Sequence, residues 1–145
     1  MNAKTPLKFN LIFHVIAVLV AGYLIQHHFM ALSGQGDFHS ICSINDKLDC
    51  DVVNSSTYSV FLGVPLSTFA FAYHLLSVII TIIAMSDMYS KRETLLLLIG
   101  TSGFSTIISM FLLYISIQEL KTACIFCMSL YVANLFTFIA SLAAW

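Results

Sequence analysis

The stretch TACIFCMSLY, residues 122–131, sets Cys124 and Cys127 three positions apart at the head of an apolar run. On a helix, residues i and i+3 lie one turn apart on one face, close enough to be bridged or, when reduced, to share a thiolate charge. Unpaired backbone N–H groups and the dipole favour an anion at a helix start, and the Cys-x-x-Cys spacing itself depresses thiol pKa. A second pair, Cys42 and Cys50, lies in the polar stretch ICSINDKLDCDVVNSS. Thiolate attack on a disulfide passes electrons from one such pair to another through mixed disulfides. The same residues have two plainer readings. They fit two structural bridges that brace a binding loop, or a four-thiolate metal site, Cys-x-x-Cys being a common zinc half-site. The seven residues between Cys42 and Cys50 argue against the metal, and none is expected.

These cysteines are carried by a chain made mostly for lipid. Of its 145 residues, 59% are hydrophobic and 9% charged, against about 25% charged in soluble domains. Four apolar segments approach the roughly 20 residues that cross a bilayer: residues 10–32, 60–85, 94–117 and 123–145. The expected fold class is therefore an all-α membrane protein. It has a single four-helix transmembrane domain over residues 1–145 and a short helix in the connecting loop after Asn45. The first segment follows Lys4 and Lys8 as a secretory signal would, but its apolar core is too long for one and no clean cleavage motif follows. A net charge of −1 offers no basic surface, so no nucleic-acid partner is expected.

Lys4, Lys8, Lys91 and Arg92 flank one side of the predicted spans, so both termini are expected in the cytoplasm and the cysteines on the outer face. Gly34 and Gly36 precede Cys42 and predict a loop able to swing a thiol. A dithiol at the membrane boundary has what a soluble one lacks, lateral access for a hydrophobic two-electron carrier, of which a quinone is the obvious example. Ionisable groups in the apolar segments stand out next. His14 and His74 lie deep in their spans, and His74 reads as an interhelical hydrogen bond before a catalytic role; His27 and His28 read as anchors of a helix end or a proton relay, and Gly100 and Gly103 as close helix packing.

In combination, Cys42-x7-Cys50, Ser56, GVPLS at Gly63 to Ser67, and CIFC followed by Tyr131 resemble the vitamin K epoxide reductase family, bacterial branch, over nearly the whole chain. The resemblance implies a four-helix bundle around a quinone, ubiquinone or menaquinone, in a bacterial inner membrane. It implies an enzyme that oxidises a separate thioredoxin-fold disulfide carrier, since no thioredoxin-like segment of the kind fused to some relatives is visible. By position, Cys127 would lie nearest the quinone, Cys124 would be its partner and the target of Cys50, and Cys42 would exchange with the outside protein. Ser56, Ser59, Phe61 and Tyr131 would surround the quinone. Ser59 occupies the region where the animal enzymes carry an asparagine that holds the vitamin's carbonyl, which sets epoxide reduction apart as an alternative. A non-enzymatic membrane protein with two structural disulfides is the other.

Overall fold

The computed structural model describes residues 4–33, 42–86 and 90–145. In chain order the helices are α1 Lys4–Leu32, α2 Cys50–Ser55, α3 Leu66–Ser86, α4 Lys91–Ile115 and α5 Ile125–Ala144. A π turn, Ser116–Leu120, prolongs α4. The segments Thr5–Met30, Leu66–Ser86, Lys91–Leu120 and Ile125–Ala144 are each long and apolar enough to cross a membrane. The all-α four-helix expectation thus matches the fold, and the expected loop helix is α2. Gly34 and Gly36 lie outside the described residues.

The bundle turns its apolar side chains outward. Leu19, Phe104 and Ile107 are two-thirds or more exposed, while Asn10, His14, His74, Thr81, Thr137 and Ser141 are fully buried. With lipid outside, apolar burial gives helices little reason to associate, and interhelical hydrogen bonds and close packing take over. Asn10 Nδ2 on α1 donates to Thr137 O at 3.0 Å and Ser141 Oγ at 2.8 Å on α5. The Thr81 hydroxyl of α3 reaches Asn10 Oδ1 at 3.1 Å. His14 and His74 meet Nδ1 to Nδ1 at 2.9 Å, so one imidazole donates and the other accepts. Gly103 also serves packing, since a Cβ there would come within 3.2 Å of the Phe138 ring. Gly100 does not: a Cβ would meet nothing within 4 Å.

Polarity of the bundle follows from its two apolar clusters. One end gathers Leu7, Ala84, Leu95, Leu98 and Ala144, and there Arg92 stacks 5.9 Å over the Trp145 ring. At the other end Ala17, Ala21, Leu24, Leu130 and Ala133 pack with Cys42, Cys50 and Cys124. The basic residues Lys8, Lys91 and Arg92 thus share the end away from the thiols.

The second span starts later than the apolar run that suggested 60–85. Val60–Phe61 and Val64–Pro65 pair as a two-stranded antiparallel hairpin, β1 and β2. Leu62 and Gly63 turn it with φ of 52° and 79°, the two positive angles that the tightest hairpin turn needs. Pro65 keeps the residue before it extended, so the helix starts only at Leu66.

A candidate redox site of four cysteines and an apolar cavity

The loop that carries Cys42 and Cys50 is fixed to the head of α5 by backbone hydrogen bonds. Asp49 N–H donates to Ala123 O at 3.0 Å and Ala123 N–H to Lys47 O at 2.9 Å. Asp49 then caps α2, its Oδ1 accepting from Asp51 N at 2.8 Å and Val52 N at 3.2 Å, so Cys50 is the first residue of that helix. On this side of the loop main-chain pairing holds Cys50 in place. Cys124, in turn, is the N-cap of α5 rather than a residue inside it. Chain reversal before it relies on Lys121 at φ 53° and on the Ser116 hydroxyl, which donates to Thr122 O at 2.6 Å.

These two constraints bring the sulfurs together. Cys42 and Cys50 form a disulfide with Cα atoms 5.6 Å apart, while Cys124 and Cys127 are free thiols. The sulfurs of Cys42, Cys50 and Cys124 lie within 4.8 Å of one another, and these residues are 3%, 1% and 1% exposed. The Cys127 backbone N–H donates to Cys124 Sγ at 3.2 Å. Hydrogen bonding from the Cys127 thiol pulls the Cys124 pKa below the ordinary thiol value, and the backbone N–H groups of Cys127 and Phe126 help, against burial. A donor to the charged form favours that form. Cys124 is therefore the more nucleophile-like partner, and it faces the loop disulfide.

Cys127, one turn into α5, faces the other way. It lines a cavity of about 450 Å³ between α3, α4 and α5, roofed by α2 and the turn after it. The cavity exists because α3 and α4 touch each other least among neighbouring helices of the bundle. Its wall is apolar, with Phe69, Phe104, Ile108 and Leu112 among others, and the volume suits a small organic molecule. Gly100 keeps that wall open.

Of the residues expected around a quinone, Ser56, Ser59 and Tyr131 line the cavity and Phe61 does not. Phe61 is exposed on β1 because residues 60–65 form the hairpin, and its ring meets that of Phe69, edge to face at 6.1 Å, from outside. Ser56 and Ser59 donate their hydroxyl hydrogens to main-chain carbonyls, Ser56 to Val53 O at 2.8 Å and Ser59 to Asn54 O at 2.7 Å, shaping the turn. The free polar groups are others. Ser67 Oγ, Tyr73 OH and Asn134 Oδ1 line the cavity, are buried, and have no hydrogen-bond partner among the described residues. Tyr73 OH lies near the hydroxyls of Ser77, Ser105 and Thr137 without closing a bond to any. Asn134 turns Nδ2 to Ser109 Oγ at 2.7 Å, which leaves its Oδ1 facing the space. Two hydroxyl donors and one amide acceptor suit a ligand whose oxygens accept hydrogen bonds when oxidised and donate them when reduced, as those of a quinone do.

The histidine pair His27 and His28 holds the roof. His27 Nε2 lies 2.7 Å from Asp51 Oδ1, Asn54 Nδ2 donates to His27 Nδ1 at 3.1 Å and to Leu24 O at 3.2 Å, and His28 Nδ1 donates to Asn54 O at 2.8 Å. Asn54 is thus the clamp between α1 and α2, and nothing in the sequence singled it out.

Four helices long and apolar enough to cross a membrane, two cysteine couples side by side and a cavity bordered by one thiol mark an integral membrane oxidoreductase. The vitamin K epoxide reductase family model matches residues 9–142. The chain belongs to that family, whose members are membrane redox enzymes that use quinones and generally work with thioredoxin-like partners. No curated protein matches it.

Proposed function

We propose that the protein is a quinone-dependent thiol oxidase of the bacterial inner membrane, a single four-helix domain that makes disulfides for a separate thioredoxin-fold carrier. One observation carries the reading: the Cys124 sulfur lies within 4.8 Å of both sulfurs of the loop pair, while Cys127 opens on the cavity. The carrier's dithiol reduces Cys42–Cys50 by exchange at Cys42. Cys50 thiolate then attacks Cys124 of a Cys124–Cys127 disulfide, Cys127 leaves as thiolate, and Cys42 resolves the mixed disulfide. The loop bond forms, the helix bond breaks, and two protons pass to the helix thiols. The arrangement with the loop pair bridged and the helix pair reduced corresponds to the state after that transfer.

A quinone in the cavity, ubiquinone or menaquinone, supplies the acceptor of two electrons and two protons. Ser67, Tyr73, Asn134 and Tyr131 would hold its oxygens, with Ser56 and Ser59 as the roof. The segregation of Lys8, Lys91 and Arg92 to the end away from the thiols supports cytoplasmic termini and outward cysteines. The test is quinone reduction driven by a reduced dithiol, in the wild type and in Cys124→Ser and Cys127→Ser. Wild-type turnover that falls to background in both variants supports the reading. Unchanged turnover in either overturns it.

A further inference from the structure

The sulfur cluster has a second chemistry that electron relay leaves unused. We propose that the fully reduced protein binds one Zn²⁺ through Cys42, Cys50 and Cys124, with water in the fourth position, and that the metal stops the relay. The stop, though not the binding, rests on the thiol-oxidase reading.

Zinc holds its four ligands in a tetrahedron, with Zn–S bonds of ~2.3 Å, so the sulfurs sit ~3.8 Å apart. Cys42, Cys50 and Cys124 already hold their sulfurs within 4.8 Å of one another, so Cys124 has at most about 1 Å to close on that spacing. Reduction frees the two loop sulfurs to separate. The seven-residue spacing that spoke against a metal in the sequence is closed in the fold, where the Cα atoms of Cys42 and Cys50 are 5.6 Å apart. The main-chain bonds between Lys47, Asp49 and Ala123 fix the loop half of the site to the helix half without using any sulfur.

The helix half is built to hold a metal ligand. Cys124 caps α5 and its sulfur accepts the Cys127 N–H at 3.2 Å, an outer hydrogen bond of the kind that orients a metal ligand. The start of the twenty-residue α5 offsets thiolate charge. Asp49 and Asp51, held on the loop by the Ser43 hydroxyl at 2.7 Å and 2.8 Å, add negative charge that favours a cation. Three sulfurs select zinc, cadmium or Cu(I) over magnesium or calcium. Binding displaces the three thiol protons and changes no oxidation state. With Cys42–Cys50 bridged only one of these thiols remains, so metal uptake belongs to the reduced protein and rises when the oxidant runs short.

Full-length protein, reduced and then freed of reductant and metal without air, can be titrated with Cd²⁺ alone while thiolate-to-metal charge-transfer absorbance is followed. Saturation at one equivalent is expected, with no band in wild type whose Cys42–Cys50 bond is intact. Cys124→Ser leaves the loop dithiol and should weaken binding beyond the ~10–100-fold that losing an outer-shell partner costs. An equal band in the bridged protein, or wild-type affinity in Cys124→Ser, overturns the site. Quinone reduction in the presence of a chelator separates the two claims. Turnover without metal binding overturns the metal site alone, and metal binding without turnover overturns the relay alone.

Discussion

The two halves of this bundle use similar polar side chains for opposite ends. In the half away from the thiols, Asn10, Thr81, Thr137 and Ser141 are fully buried and bonded to one another across α1, α3 and α5, and His14 and His74 share a hydrogen bond through Nδ1, their Nε2 atoms having no partner among the described residues. In the thiol half, Ser67 Oγ, Tyr73 OH and Asn134 Oδ1 are buried around a cavity with no partner among the described residues. A buried polar group without a partner costs on the order of 1–3 kcal/mol. Satisfied groups therefore cement helices, whereas unsatisfied ones gathered on a cavity mark where something else is to be held.

The sharpest break between the halves should come from the loop pair. Cys42→Ser is expected to abolish oxidation of a folded thioredoxin-fold carrier while leaving partial turnover with a small dithiol that reaches Cys124 directly. Equal losses with both reductants would show that the loop is not the entry point. On the other side of the comparison, Asn10→Leu removes the interhelical bonds of Asn10, each worth ~0.6 kcal/mol and at most ~1.7 kcal/mol. Its thermal midpoint should fall while the KM for quinone stays put. A raised KM with unchanged stability would mean that the buried column reaches into the site.

Smaller effects separate the two thiols of α5. Because the Cys127 thiol is the largest cause of the lowered Cys124 pKa, Cys127→Ala should move the midpoint of Cys124 alkylation to higher pH. The sign follows from the donor: without it the thiolate loses stabilisation, so less of it is present at any given pH below the midpoint. In the same assay, an unshifted midpoint would assign the lowering to the backbone donors. Least is expected of Tyr131→Phe, about 1 kcal/mol for one neutral hydrogen bond, or a several-fold rise in quinone KM at unchanged protein yield. No change would make Tyr131 a wall residue, with the oxygens left to Tyr73, Ser67 and Asn134.

What the sequence made legible follows the same division. The spans and the Cys-x-x-Cys at a helix start are written in local pattern, and the fold keeps both, with the family's cysteine spacing intact. The start of α3 was not legible, because the apolar residues of the Val60 to Pro65 hairpin join those of the helix into one run, and only Gly63 and Pro65 interrupt it. Phe61, expected beside the quinone, lies on that hairpin and off the cavity lining for the same reason. Asn54, Tyr73 and Asn134 were missed because a lone polar residue in an apolar run does not name its partner. That partner lies on another helix, or is a ligand. The anchoring of Cys50 was hidden more deeply still, since main-chain bonds to Ala123 leave no trace in side-chain type.

The central claim is that electrons cross between Cys50 and Cys124. In a Cys42→Ser, Cys127→Ser double variant those two are the only thiols left, and each has lost its own partner. Mild oxidation in detergent followed by peptide mapping should then find an intramolecular Cys50–Cys124 disulfide as the main product, since their sulfurs start within 4.8 Å of each other. Two free thiols, or disulfides formed only between molecules, would contradict the relay.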